Sequence, residues 1–73
     1  MATNKLLEIL TKNGISQAKL ARESGLNSGT INRYCRNTQQ PSPVTKNLIT
    51  NTINRLILKD AKKYDLPDIF PDN

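Results

Sequence analysis

Residues 16–37, SQAKLARESGLNSGTINRYCRN, constrain the fold more than any other stretch of the chain. Gly25 divides them, because a left-handed turn at a helix end is cheap only without a side chain. Ahead of it, Ser16 is placed to cap a helix, its hydroxyl accepting from an unpaired amide of the opening turn. Ile15 before that cap and Leu20 four positions into the helix suit a hydrophobic staple. Ala21 falls where two helices would cross closely. Beyond Gly25, Leu26 turns inward and Asn27 is a good cap for a second helix. Ile31, Tyr34 and Cys35 share one face of that helix at i, i+3, i+4. Ser28, Gly29, Asn32, Arg33 and Arg36 share the other, which suits an exposed helix that touches something polar and anionic.

The charge points the same way. The chain has 73 residues with 11 Lys/Arg against 6 Asp/Glu, a formal charge of +5. Residues 1–40 hold six basic and two acidic side chains, and residues 41–73 hold five and four. The surplus therefore accompanies residues 16–37, as an electrostatic footprint for nucleic acid should. A solvated basic face that merely keeps a small protein soluble is the plainer alternative. Apolar residues are 36% of the chain and aromatic ones 4%, which allows a modest aliphatic core, near the smallest size at which one core suffices.

Thr3 or Asn4 can cap a first helix reaching about Asn13, with Leu6, Leu7, Ile9 and Leu10 as its apolar face. Asn4 and Lys5 at its start could reach a phosphate. Gly14 ends it, and Ile15 can meet Leu10 as in a Schellman ending. Residues 38–43, TQQPSP, form a polar loop whose prolines cannot continue a helix. Pro43 can open the next helix, and Leu48, Ile49, Thr52, Ile53, Leu56 and Ile57 then repeat at helical spacing to about Leu58. This helix is expected to close the core over the first and third, with residues 59–63 ending it. Asp65 can cap a last short turn containing Pro67, folding Leu66, Ile69 and Phe70 back on the bundle. The expected architecture is all-α: one domain over residues 1–73, a compact bundle of four to five short helices. Its motif is 16–37, and a closing helix and C-terminal turn occupy 43–70.

Catalysis finds little support. The chain has no histidine or tryptophan, and its single cysteine, Cys35, lies on an apolar face as a small buried hydrophobe. One cysteine makes neither an intramolecular disulfide nor a cysteine metal cluster. Glu8 and Glu23 have no sequence reason to converge, and Asp60, Asp65, Asp68 and Asp72 lack calcium-loop spacing. Gly14, Gly25 and Gly29 are too scattered for a phosphate loop. No catalytic residue, metal or cofactor is expected. Lys5, Glu8 and Lys12 interrupt any signal-peptide pattern, and no apolar run approaches the roughly 20 residues of a membrane span. A cytoplasmic protein without a membrane partner is expected.

Residues 16–37 resemble the helix-turn-helix of the Xre/Cro/phage-repressor family. The matching positions are Gln17 opening the first motif helix, Ala21 at the crossing, Gly25 in the turn, and Ile31 and Tyr34 in the core of the second helix. Asn37 stands where the family usually has glycine, a mild departure because Asn tolerates a left-handed ending. Cys35 stands where many relatives carry glutamate. The resemblance implies a lambda-repressor-like bundle whose partner is double-stranded DNA.

An α-helix fits the major groove, where each base pair presents a distinct pattern of donors and acceptors. The helix from Ser28 to Arg36 would enter with its N-terminal residues toward the base edges. Ser28, Gly29, Asn32 and Arg33 are the candidates for base readout. Asn can pair with adenine, and Arg33 can reach guanine O6 and N7 or serve as a phosphate contact. Gly29 leaves bare backbone for close approach, although it weakens the helix by up to about 1 kcal/mol. Gln17, Lys19, Asn27, Thr30, Arg36, Asn37, Thr38 and Lys46 are candidates for the DNA backbone. Lys19 opposes the helix dipole in its first turn, which is explicable if it faces a phosphate, though it can equally point into water.

One such helix reads about half a site, and family members pair across a two-fold axis. The resemblance therefore implies a weak homodimer on a palindromic operator. Val44, Ile57, Leu58, Ile69 and Phe70 are the implied contact candidates. The function expected is a sequence-specific transcriptional regulator, a repressor of phage, plasmid or bacterial origin. The alternative is an antitoxin or a module that recruits another protein.

Overall fold

The structure is a computed structural model, and it describes residues 4–57 and 63–71. Among them are five α-helices and no strand: α1 (Leu6–Lys12), α2 (Gln17–Ser24), α3 (Ser28–Cys35), α4 (Pro43–Leu56) and α5 (Leu66–Ile69). The small all-helical bundle read from the sequence is what forms.

Local chemistry sets most boundaries. The N-cap of α1 is Lys5, which makes no side-chain cap bond, and not Asn4, although Asn4 Oδ1 accepts from the Leu6 amide at 3.0 Å just ahead of it; Thr3 lies outside the described residues. At the other end Gly14 takes φ +67°. The Ile15 amide donates to Leu10 O at 2.9 Å and the Gly14 amide to Thr11 O at 3.2 Å, which is the Schellman pair. Ser42 Oγ accepts from the Thr45 amide and opens α4 with Pro43 in the first turn, a cap the sequence reading passed over. α4 ends at Leu56, short of the expected Leu58, which lies with residues 59–62 outside the described chain. In α5 the Asp68 carboxylate reaches back to accept from the Asp65 amide at 2.8 Å.

The core gathers Leu6, Ile9, Leu10, Leu20, Ala21, Ile31, Tyr34, Cys35, Ile49, Ile53, Ile57, Ile69 and Phe70. Three expected core positions, Leu7, Leu48 and half-buried Leu56, are not in it. Leu7 is 47% exposed and Leu48 39%, because each lies beside the buried stripe of its helix rather than on it. Thr52 is buried as the stripe implied, and Thr50, which the stripe did not include, is buried as well. Each hydroxyl is satisfied by the carbonyl four residues back, Thr50 on Lys46 at 2.9 Å and Thr52 on Leu48 at 2.7 Å. α4 packs chiefly on α2 and α5, not over α1 and α3 as its stripe suggested.

That packing corrects the dimer candidates. Ile69 is fully buried, Phe70 is 2% exposed and Ile57 is buried beside them, so all three complete the protomer's own core. A chain of this size has few large apolar side chains, and its last turn is drawn inward to supply them. Of the described candidates only Val44 stays outside, at 78% exposure.

Candidate nucleic-acid interface

The motif is assembled by side chains close in sequence. Ser16 Oγ accepts from the Lys19 amide at 2.9 Å and caps α2, while half-buried Ile15 packs against the core that contains Leu20. α2 ends on Gly25 at φ +77°. Asn27 Oδ1 then accepts from the Gly29 amide at 2.7 Å and caps α3. Leu20 and Ala21 of α2 bury against Ile31, Tyr34 and Cys35 of α3. The apolar faces being committed to each other, Ser28, Gly29, Asn32, Arg33 and Arg36 are all left exposed.

Two of the selected residues meet. Asn32 Nδ2 donates to Gln17 Oε1 at 3.1 Å, joining the start of α2 to the middle of α3. The bond leaves Asn32 Oδ1 as an acceptor and the Gln17 amide as a donor beside it. Both residues were singled out from the sequence, but nothing in a one-dimensional string pairs them across fifteen positions.

The structure gives Gly29 a second reason. A Cβ there would lie 3.0 Å from Asn27 Oδ1, so the missing side chain makes room for the cap as well as for a close partner. Other backbone candidates have duties inside the protein. Asn37 takes φ +60° and its Oδ1 accepts from the Asn4 amide at 2.9 Å. Thr38 donates through both its amide (3.0 Å) and its hydroxyl (3.2 Å) to Arg33 O. The Lys46 ammonium sits 5.7 Å from the Phe70 ring centre. Asn4, weighed as a phosphate contact, donates through Nδ2 to Tyr34 O at 2.9 Å instead. Lys19, Asn27, Arg36 and Thr38 remain exposed, and Gln17, Thr30, Asn37 and Lys46 are half-buried.

The electrostatics are one-sided. From residue 9 to residue 59 the sequence contains a single carboxylate, Glu23. It lies at the far end of α2, with Arg55 Nη2 at 3.6 Å and Arg22 Nε at 3.9 Å. No carboxylate on α2 or α3 thus opposes Lys19, Arg33 and Arg36. Burial pushes the Cys35 thiol up from its ordinary value, which disfavours the reactive thiolate. Among the described residues no group of His, Cys, Asp and Glu is placed to hold a metal ion. None of the described helices is long and apolar enough to cross a membrane.

No curated protein matches the chain. A helix-turn-helix family model does, over residues 6–45, from the first residue of α1 to the third of α4. That span covers more than half of the 73 residues and contains both capped helices, the Gly25 turn and the whole exposed face of α3. The chain belongs to the Xre/Cro/C1-type helix-turn-helix family of DNA-binding regulators.

Proposed function

We propose that this protein is a sequence-specific transcriptional repressor, of the kind found in phages, plasmids and bacteria, which acts in the cytoplasm as a homodimer on a palindromic operator. What carries the proposal is the exposed face of α3, where Ser28, Gly29, Asn32 and Arg33 stand together on a helix that contains no Asp or Glu. Ser28 and Asn32 offer hydrogen bonds to base edges, and the Gln17–Asn32 bond holds the Asn32 amide in one orientation before DNA arrives. Arg33 is long enough for guanine. Lys19 and Arg36 flank the reader and supply phosphate contacts that fix register without reading sequence.

Two copies are needed because a single α3 spans only half a site. Among the described residues the exposed Val44 at the start of α4 is the candidate that remains for their contact, and Leu58 lies outside them. Selecting bound duplexes from a random pool tests the proposal. A symmetric motif with half-sites about 10–10.5 base pairs apart is expected. A pool that never enriches, with affinity independent of sequence at physiological salt, would leave a basic protein-interaction bundle as the better description.

A further inference from the structure

We propose that Asn4 is a positioning residue for DNA recognition: it latches the C-terminal end of α3, through Asn37, to the start of α1. The proposal rests on the DNA reading above and adds a residue that never touches DNA. Asn4 uses its backbone amide and both polar ends of its side chain at this junction. Its amide donates to Asn37 Oδ1 at 2.9 Å, its Nδ2 donates to Tyr34 O at 2.9 Å, and its Oδ1 accepts from the Leu6 amide at 3.0 Å. The next amide, Lys5, donates to Ile69 O at 2.8 Å, so residues 4 and 5 join α1, α3 and α5 at one point.

α3 needs such a latch. Its N-terminal half is held by the Asn27 cap and the Gln17 bond. Its last turn unwinds through Asn37, a non-glycine residue at φ +60°, which a backbone alone would not favour. The Asn37 side chain held by the Asn4 amide fixes that ending, and the second bond to Tyr34 O fixes the helix end itself. The tilt of α3 sets where Arg33 lies relative to a base edge. A base contact fails when misplaced by a fraction of its length, whereas attraction between cations and phosphates is tolerant of orientation. Loss of the latch therefore lowers selectivity and spares non-specific affinity.

The test uses the full chain, the duplex recovered by selection and a scrambled duplex of equal length. Asn4→Ser keeps a hydroxyl oxygen to accept from the Leu6 amide but loses the longer Nδ2 donor that reaches Tyr34 O. Asn37→Gly keeps the left-handed ending without strain and removes the acceptor for Asn4. Each is expected to reduce the ratio of specific to non-specific affinity about tenfold, and Asn4→Ser, which alters no DNA-contact candidate, is expected to leave non-specific affinity unchanged, at a temperature where circular dichroism shows the variants fully folded. The double variant should lose little more than either single one. Faster hydrogen exchange at the Asn37 and Thr38 amides in the free protein should accompany the loss. Unchanged selectivity, or specific and non-specific affinity falling in parallel, overturns the proposal. If the wild-type chain itself lacks selectivity, the DNA reading fails and the latch loses its purpose; if only the variants behave unexpectedly, the latch alone is wrong.

Discussion

The two halves of this protein are held by different means. In residues 16–38 the bonds that set the helix ends join near neighbours, Ser16 to Lys19, Asn27 to Gly29 and Thr38 back to Arg33. The longer ones, Asn32 to Gln17 and Asn4 to Tyr34 and Asn37, tie the finished helices together. In residues 43–71 the chain after α4 is placed by distant partners. Asn54 and Tyr64 exchange bonds in both directions at 2.8 Å, Asn54 Nδ2 to Tyr64 O and the Tyr64 amide to Asn54 Oδ1. Tyr64 also accepts from Asn13 across to α1, and Arg55 donates to Glu23 O at the end of α2. The first half is shaped locally and can afford an exposed polar face. The second contributes Ile49, Ile53, Ile57, Ile69 and Phe70, much of the core on which that face rests. The family match stops at residue 45, near the seam between the two.

The strongest way to break this contrast is to remove Phe70. If the closing half is the foundation of the motif, Phe70→Ala should cost about 3–5 kcal/mol, a large share of the roughly 5–15 kcal/mol a domain has. Urea unfolding followed by circular dichroism measures it. A loss below about 1 kcal/mol, well short of the usual cost, would make residues 43–71 an appendage instead.

The same contrast explains what was legible in the sequence. Caps and left-handed glycines obey rules over three or four residues, so Ser16, Gly14, Gly25 and Asn27 could all be read, and so could the exposed face of α3. The apolar stripe of α4 showed a helix, but not which neighbours it would meet, so Leu48 was placed inside and Thr50 went unnoticed. Ile57, Ile69 and Phe70 could be read both as apolar residues folding back on the bundle and, from the family resemblance, as an outer contact, because periodicity cannot tell a protomer's core from an interface. Their burial decides for the core. At the site, the exposure of Ser28, Asn32 and Arg33 followed from helical spacing. The inward bonds of Asn4, Asn37 and Thr38 did not, since they depend on how far apart the folded chain brings the ends of α1 and α3.

Two smaller effects sharpen the picture of the motif. Arg33→Ala should cost about 1–3 kcal/mol on the selected duplex and relax preference at one base position, while leaving the unfolding midpoint unchanged because Arg33 is exposed. Binding assays on single-base variants of the site decide it, and unaltered selectivity would remove Arg33 from the reader. Asn27→Ala should cost about 1 kcal/mol of stability through the lost cap. Gly29→Ala in that background should then gain up to about 1 kcal/mol, and less in the wild type, where the new methyl meets Asn27 Oδ1 at 3.0 Å. Equal gains in both would show that the cap has no claim on Gly29.

The smallest effect separates stability from recognition within one side chain. Lys19 lies in the first turn of α2, where a cation opposes the helix dipole, and its side chain is exposed. Its own amide, not its ammonium, bonds the Ser16 cap, so substitution leaves that cap in place. Lys19→Ala therefore removes an unfavourable charge and adds a good helix former, and the unfolding midpoint should hold or rise slightly. If the ammonium neutralises a phosphate, affinity should fall alike on specific and scrambled duplexes, and the slope of log affinity against log salt should shrink by about one unit. A Lys19→Ala chain with an unchanged slope would mean that this lysine points into water, and that the backbone contacts begin at Gln17 and Arg36 instead.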